Sequence, residues 1–437
     1  MAQNDALFNL KAVVRQTGVR PDTVRAWERR YGLPMPGRSS GGHRLYSPRD
    51  VETIRWLMAR QREGMSIQRA VALWRQIEGE GRDPLQATMP GATHAVSAPA
   101  AGAVGETIDR HRRDWIAACQ AFDERIAEQV LTEAFAIYPL EIVVLELLQQ
   151  GIAEIGEGWY HGDVSVQQEH FCSSLVIRRL ESLILATPPP VRPGRFLIAC
   201  PPEEEHVIGP LVLTALLRRR GWEVVYLGAD VPMERLGVTV RSINPTLAIL
   251  AAQQLYTAAT LLEAARLLQA ERVPVAYGGR IFNLIPELRS RIPGYFLGEG
   301  LAQAAQEVEA LMIAPRPASA LPAVPEAYQR ARAHFREHRE VVEAQVVQML
   351  VPKGFTPSLV TMVNRELGLG IDAALALGDM SYLGTEIEWV RGLIRQQHIP
   401  DEALHTYLEV YHQAAEDHLD GRAEPIVTWL RATAGSL

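Results

Sequence analysis

The sequence predicts a multidomain protein of α and α/β class. A winged helix-turn-helix, a four-helix bundle, a doubly wound parallel sheet and an all-helical domain follow one another along it. Three observations predict this. Charge is segregated: residues 1–75 hold 14 Lys and Arg against six Asp and Glu, a balance of +8 in a chain of net charge −7, so the remainder carries −15. Two stretches rich in Ala, Pro and Gly, 81–105 and 314–325, lack periodicity and read as linkers. Between 194 and 312, short apolar runs alternate with helical patterns, which is the pattern of a parallel sheet wrapped by helices. At 437 residues the chain has room for three domains of about 150 residues.

Bulk properties exclude several classes. Apolar content of 47% and charged content of 22% exclude an intrinsically disordered chain. Cys119, Cys172 and Cys200 are widely spaced and form no CxxC, so reduced, buried thiols and a cytoplasmic location are expected. The sequence shows no secretory n-region and no 18-residue apolar run, so no membrane association is expected. The basic head on an acidic body points to a polyanion as the partner of the first domain.

That head spans residues 5–80. Asn9 caps a helix from Leu10 to Gln16, Thr17-Gly18-Val19 turns the chain, and Pro21 opens a second helix through Arg30, closed by Tyr31-Gly32. Helix, glycine turn and helix make a helix-turn-helix. Thr23, Arg25, Arg29 and Arg30 on the second helix suit base edges and phosphates of double-stranded DNA. Arg38 to Tyr46 predicts a two-stranded wing, in which Arg44 and Tyr46 would contact phosphates. Trp27 is expected in the core.

Residues 106–190 read as four amphipathic helices. The third ends in Gly156-Glu-Gly-Trp159-Tyr-His-Gly-Asp163, and the fourth begins near Ser165 and carries Gln168-Glu169-His170. Trp159 and the acid–imidazole pair Glu169-His170 either face one region or are a capping Trp with a solvated Glu and His. Residues 191–313 supply five strands: Phe196–Cys200, Val224–Leu227, Leu247–Ala251, Val275–Tyr277 and Phe296–Leu297. The loop after the first carries Glu204-x-His206-x-x-Gly209. A His at the carboxyl end of a parallel strand is either a hydrogen-bonded structural residue or a metal or cofactor ligand. Later loops carry Gly228-Ala-Asp230 and Gly278-Gly279-Arg280. No GxGxxG follows the first strand, which excludes a dinucleotide fold.

These motifs carry two resemblances. Val24-Arg25-Ala26-Trp27-Glu28-Arg29-Arg30-Tyr31-Gly32-Leu33 with Gly42-His43-Arg44-Leu45-Tyr46 resembles the winged-helix DNA-binding domain of the MerR family. Many members of that family continue into a long coiled-coil helix. Here a Pro/Gly/Ala linker follows, so dimer geometry must come from elsewhere. The helical bundle followed by a sheet with Glu204-x-His206-x-x-Gly209 is similar to the cobalamin-binding module from about Asp109 to Met312. The resemblance implies that His206 ligates cobalt from below and that Gly278 and Gly279 line the nucleotide tail. Trp159 followed by Glu169-His170 resembles the cap of MerR-type cobalamin photoreceptors (the CarH and LitR group). There Trp and Glu shield a 5′-deoxyadenosyl group, which implies adenosylcobalamin. The family places a hydroxyl after the third strand. This chain has Ala251, and Gln253-Gln254 follow, so a changed pocket floor is expected.

The tail, 326–437, reads as about five helices holding six histidines: His334, His338, His398, His405, His412 and His418. His334 and His338 stand at i,i+4, yet no acidic or Cys pattern completes a metal site, and surface or core histidines are expected. The arrangement is similar to that of photocobilins, which pair cobalamin with a bilin. A non-covalent biliverdin is the implied second chromophore, with Arg391, His405, Tyr407 and Tyr411 available to it, against a dimerisation or signalling bundle. The expectation is a non-enzymatic, light-responsive, cobalamin-dependent transcription regulator that binds operator DNA and self-associates as a dimer or tetramer. A light-independent cobalamin sensor and a corrinoid enzyme or methyl carrier are the alternatives.

Overall fold

The computed structural model describes residues 8–17, 19, 21–38, 44–62, 67–79, 83–85, 101–314, 323–384, 387, 390–391 and 402–435. Gly18, the wing tip with Gly42 and His43, most of both linkers, and Leu393, Ile394 and His398 lie outside those residues. The chain divides into two compact units, Met1–Ala98 and Pro99–Leu437.

In the first unit α1 (Leu10–Thr17) and α2 (Pro21–Tyr31) form the helix-turn-helix. Asn9 caps α1 as expected, its Oδ1 accepting the Ala12 N–H at 2.9 Å. Gly32 ends α2 with φ 70, in the left-handed region that favours glycine. β1 (Gly37–Arg38) pairs antiparallel with β2 (Arg44–Leu45), making the wing. α3 (Pro48–Arg62) starts at a capping box of Ser47 and Asp50, and Asp50 also accepts the Met35 N–H at 2.9 Å. α4 (Ile67–Gly79) completes the unit. Val13, Val24, Trp27, Ile54, Leu57 and the edge-to-face pair Trp56–Trp74 fill its core.

The second unit opens with the bundle. α5 (Ala101–Gln120) begins inside the stretch expected to be linker. α6 (Glu124–Ile137) follows, capped by Asp123. The third helix runs as α7 (Leu140–Ile142), a π-helical segment Val143–Gln149, and α8 (Gln150–His161). Its close approach to α5 requires Gly151, where a Cβ would stand 2.9 Å from the buried Trp115 ring. α9 (Val166–Leu185) has Ser165 and Gln168 as its capping box, and the Gln168 amide also donates to the Gln120 carbonyl at 2.7 Å.

The sheet has five parallel strands in the order β4-β3-β5-β6-β7. They are β3 (Arg195–Ala199), β4 (Glu223–Gly228), β5 (Leu247–Ala251), β6 (Val275–Gly278) and β7 (Tyr295–Phe296). Helices α10 (Ile208–Arg219), α11 (Leu236–Ile243), α12 (Leu255–Ala270), α13 (Ile281–Leu284) and α14 (Leu301–Ile313) connect and cover them. The strand order reverses between β3 and β5. That is the topological switch point, and the crevice outside the strand ends there is where such sheets bind ligands. One sheet face, with Phe196, Ile198 and Ile249, joins α10, α14 and the bundle in a single core. The opposite face, with Leu197, Ala248 and Leu250, packs under α12.

In the tail the described helices are α15 (Glu326–Leu350), α16 (Pro357–Leu377), α17 (Glu402–His418) and α18 (Glu424–Ala434). Their core is continuous with the second sheet face. α12 is buried nearly all round because it packs on strands one way and on α16 the other. Among the described residues no helix is long and apolar enough to cross a membrane.

Candidate functional site

The loop after β3 brings its chemistry to the switch point. Glu204 is fully buried, and its carboxylate accepts four hydrogen bonds. Oε1 accepts the His206 backbone N–H at 2.8 Å and the His206 Nδ1–H at 2.7 Å. Oε2 accepts the Gln253 N–H and the Thr257 hydroxyl, both at 2.7 Å. Gln253 and Thr257 follow β5, so one carboxylate stitches together the two loops that flank the crevice.

This arrangement fixes the imidazole. With Nδ1 committed to Glu204, the Nε2 lone pair of neutral His206 is the free one, and the side chain is 59% exposed. A carboxylate hydrogen-bonded to the far nitrogen orients a metal-ligating His and raises its basicity. The hydrogen bond to Glu204 raises the His206 pKa; burial opposes that, and the charges of Glu204, Glu169 and Glu205 add to it. Burial pushes the Glu204 carboxyl up, but the His206 and Thr257 contacts outweigh it and hold the pKa below its ordinary value.

The loop is clamped from β4. Asp230 Oδ1 accepts the Glu203 N–H at 2.8 Å, and the Asp230 N–H donates to the Glu204 carbonyl at 3.0 Å. Both residues hold left-handed backbone, φ 67 at Glu203 and 45 at Asp230, a cost tolerated where the surroundings over-determine the loop.

Glycines separate two needs. A Cβ on Gly209 or Gly278 would meet nothing within 4 Å, so space lies open beside both. Gly279 has φ 124, and a Cβ there would stand 1.9 Å from the Ala252 carbonyl oxygen. Its glycine is thus required by packing of the β6 loop on the β5 loop, whatever ligand is present.

On the bundle side, Trp159 sits half-buried at the end of α8, against the core shared with the sheet. Glu169 lies in the first turn of α9, where its carboxylate accepts the Ser173 hydroxyl at 2.6 Å and meets His170 Nδ1 at 2.7 Å. Its charge is one of those that raise the His206 pKa. The His170 side chain is 76% exposed, with Glu169 as its contact. The donor set suits a metal-centred macrocycle: an imidazole anchored through Nδ1 with its Nε2 available, and open space beside Gly209 and Gly278.

Thr257 is a member of the site that the sequence does not single out. Its buried hydroxyl, in the first turn of α12, donates to Glu204, while Ala251 stands where the family has a hydroxyl. The only signal is a Thr three residues after Gln254, which doubles as that helix's capping partner.

In the first unit Arg25, Arg29 and Arg30 are exposed on α2, and Thr23 is half-buried. Arg44 is 40% exposed and paired with Glu28 at 2.8 Å. Tyr46 corrects the expectation of a phosphate contact. It is fully buried, and its hydroxyl donates to Glu28. The bridge between Phe8 and Tyr46 turns its side chain inward. Burial, then Glu28, drives its pKa well above the ordinary phenol value. In the tail Tyr407 and Tyr411 are buried, Tyr407 donating to Asn364 Oδ1 at 2.7 Å, whereas His405 is 41% exposed.

Comparison with known proteins finds matches over three segments of the chain. Residues 8–76 match the MerR HTH family regulatory protein model, and residues 112–184 and 194–307 match two B12 binding domain models. The chain is 36% identical over 251 residues to the HTH-type transcriptional repressor CarH of Myxococcus xanthus, covering 56% of this chain and 78% of that protein. It is 32% identical over 242 residues to the HTH-type transcriptional repressor CarA of the same organism, covering 54% and 74%. Among solved structures, the monomethylamine corrinoid protein of Methanosarcina barkeri matches at 19% identity and a TM-score of 0.37, covering 47% of this chain and 99% of that one.

Proposed function

The chain belongs to the family of MerR-type repressors that includes CarH and CarA, and from that premise we propose that it is a cobalamin-dependent transcription regulator whose operator binding responds to light. The observation that carries the cobalamin part is the Glu204–His206 pair, set at the switch point of the sheet. His206 would ligate the cobalt of cobalamin through Nε2, with Glu204 fixing its tautomer and Gln253 and Thr257 holding Glu204. Trp159 and Glu169 cover the upper side, and Gly209, Gly278 and Gly279 shape the nucleotide end. Adenosylcobalamin in this site supplies a cobalt–carbon bond that visible light breaks.

The protein's part is to convert a change of volume under the cap into a change of assembly. Packed cores respond to a void by shifting between discrete arrangements. Trp159 and Glu169 stand on α8 and α9, so a loss of volume beneath them moves the bundle against the sheet and alters contacts between copies in a dimer or tetramer. The number of basic heads that reach one operator then changes, and affinity with it. Thr23, Arg25, Arg29 and Arg30 of α2 make the DNA contacts, with Arg44 on the wing. The protein is non-enzymatic and acts in the cytoplasm. Replacing His206 with Ala tests the ligand assignment: the absorption spectrum of bound corrinoid shifts if His206 is the lower ligand, and an unchanged spectrum removes it from that role.

A second reading, a non-covalent bilin in the tail, would use a cleft beside α12. Tyr256, Arg332, Arg336, Arg339, Glu263 and Asp372 line about 230 Å³ between α12 and helices α15 and α16. Arg332 and Arg336 are paired with Asp372 and Arg339 with Glu343, so propionates would have to displace these carboxylates. The cleft is smaller than the roughly 300–1,000 Å³ of ordinary ligand sites, so a tetrapyrrole requires α15 and α16 to part. Absence of a red band after gel filtration of protein mixed with biliverdin removes this reading.

A further inference from the structure

The tail contains a second cluster of ligand-type side chains, remote in sequence from the cobalamin loop. His334, Glu337 and His338 share one face of α15 at i, i+3 and i+4. One ring nitrogen from each His and one Glu337 carboxylate oxygen lie within 4.8 Å of one another. The imidazole rings have centroids 4.3 Å apart at 54°.

Each side chain is prepared differently. His338 is half-buried, and its Nδ1 lies 3.0 Å from the His334 carbonyl oxygen. An Nδ1–H donated to a backbone carbonyl leaves Nε2 with a free lone pair, as in most metal-ligating histidines. The His334 side chain is 2% exposed. Its Nε2 accepts the Asp420 N–H at 3.2 Å and lies 3.4 Å from Asp420 Oδ1, and its Nδ1 is buried with no hydrogen-bond partner. A buried polar nitrogen without a partner is destabilising. Neither neutral tautomer removes the mismatch: one leaves a buried N–H without an acceptor, the other a buried lone pair without a donor. A cation bound at Nδ1 removes it, with the proton on Nε2 turned to Asp420 Oδ1 in place of the bond from the Asp420 N–H. Glu337 is exposed and brings the negative charge that such a cation needs.

We propose that His334, Glu337 and His338 form a binding site for a divalent late-transition-metal cation of the zinc class. Two imidazoles at i,i+4 on one helix face form a known zinc bite, and a carboxylate completes an N₂O donor set. Asp420 lies in the turn between α17 and α18, so the bound cation fastens that turn to α15 through His334. This site is independent of the cobalamin assignment.

The test uses the tag-free, full-length, corrinoid-loaded protein, stripped with a chelator and dialysed against ZnCl₂. Zinc and cobalt are counted separately by elemental analysis, and the melting temperature is read with and without zinc. The proposal expects about one zinc per chain and a rise in melting temperature. His338→Ala and Glu337→Gln, both at accessible side chains, should each weaken zinc binding by at least about tenfold, since even outer-shell partners of metal ligands cost that much. Both should leave the cobalt content unchanged. No zinc retained by the wild type, or equal retention in His338→Ala with its circular dichroism intact, overturns the site.

Discussion

Replacing Glu204 with Gln keeps the size of the side chain and removes its charge. The wild-type carboxylate is fully buried and accepts four donors: two from His206 on Oε1, and the Gln253 N–H and Thr257 hydroxyl on Oε2. An amide must present NH₂ to one of these two pairs. The less costly choice faces Gln253 and Thr257, because the Thr257 hydroxyl also reaches the Gln254 carbonyl at 3.0 Å. The Gln253 N–H then has no acceptor, which costs about 1–3 kcal/mol. The hydrogen bonds that remain lose their charge assistance, roughly 1 kcal/mol each, and part of this is offset because a neutral amide is cheaper to bury. The expected net loss is about 2–4 kcal/mol in the ligand-free protein. Urea denaturation of the full chain followed by circular dichroism measures it, and hydrogen exchange at the Gln253 amide localises it. A loss below about 0.5 kcal/mol with unchanged Gln253 protection would refute the view that this carboxylate organises the loops.

Three further outcomes follow from the same geometry. The Glu204–His206 pair gives a stability contribution with a pH window. The Glu204 part is present above the ordinary value of 4.5 and lost as pH falls through its lowered folded pKa, whereas the His206 part is complete below 6.5 and lost as pH rises through its raised folded pKa. The urea midpoint difference between wild type and His206→Ala should therefore be largest between pH 4.5 and 6.5; a flat difference contradicts the pairing. Gly279→Ala should destabilise severely, because its Cβ meets the Ala252 carbonyl oxygen at 1.9 Å with φ 124, whereas Gly209→Ala should leave ligand-free stability equal or slightly higher and weaken corrinoid binding. In the head, Arg29→Ala should weaken operator binding and reduce the salt slope by about 1. Tyr46→Phe should leave that slope unchanged and cost about 1 kcal/mol of stability; a reduced slope for Tyr46→Phe would restore the phosphate contact.

Much of the architecture was legible because it rests on local signals. Asn9, Ser165 and Gly32 act at helix ends through bonds to neighbours a few residues away, and the five strands announce themselves as apolar runs bounded by Gly and Pro. Glu204 and His206 were legible as a pair because they are two residues apart on one loop. What depended on register or on distant packing was not. Tyr46 stands two residues after Arg44 in a predicted wing, and only the bridge to Phe8 and the bond to Glu28 reveal that its ring turns inward. Thr257 reaches Glu204 from 53 residues away because the sheet reverses its order between β3 and β5. Gly278-Gly279 was read as one motif, whereas the two residues answer different needs. The i,i+4 spacing of His334 and His338 was visible. The burial of one ring and the approach of Asp420 across 86 residues were not.

The central claim is that occupancy above His206 governs how the heads bind DNA, and it is tested most directly by operator affinity in darkness and after illumination. The full-length protein loaded with adenosylcobalamin is titrated against operator DNA under both conditions, at one salt concentration. A coupling of about 1–3 kcal/mol, the usual range for linked sites, predicts affinities that differ by roughly 5–150-fold and a difference abolished by His206→Ala. Equal affinities in darkness and light, with the corrinoid still bound, would contradict the account.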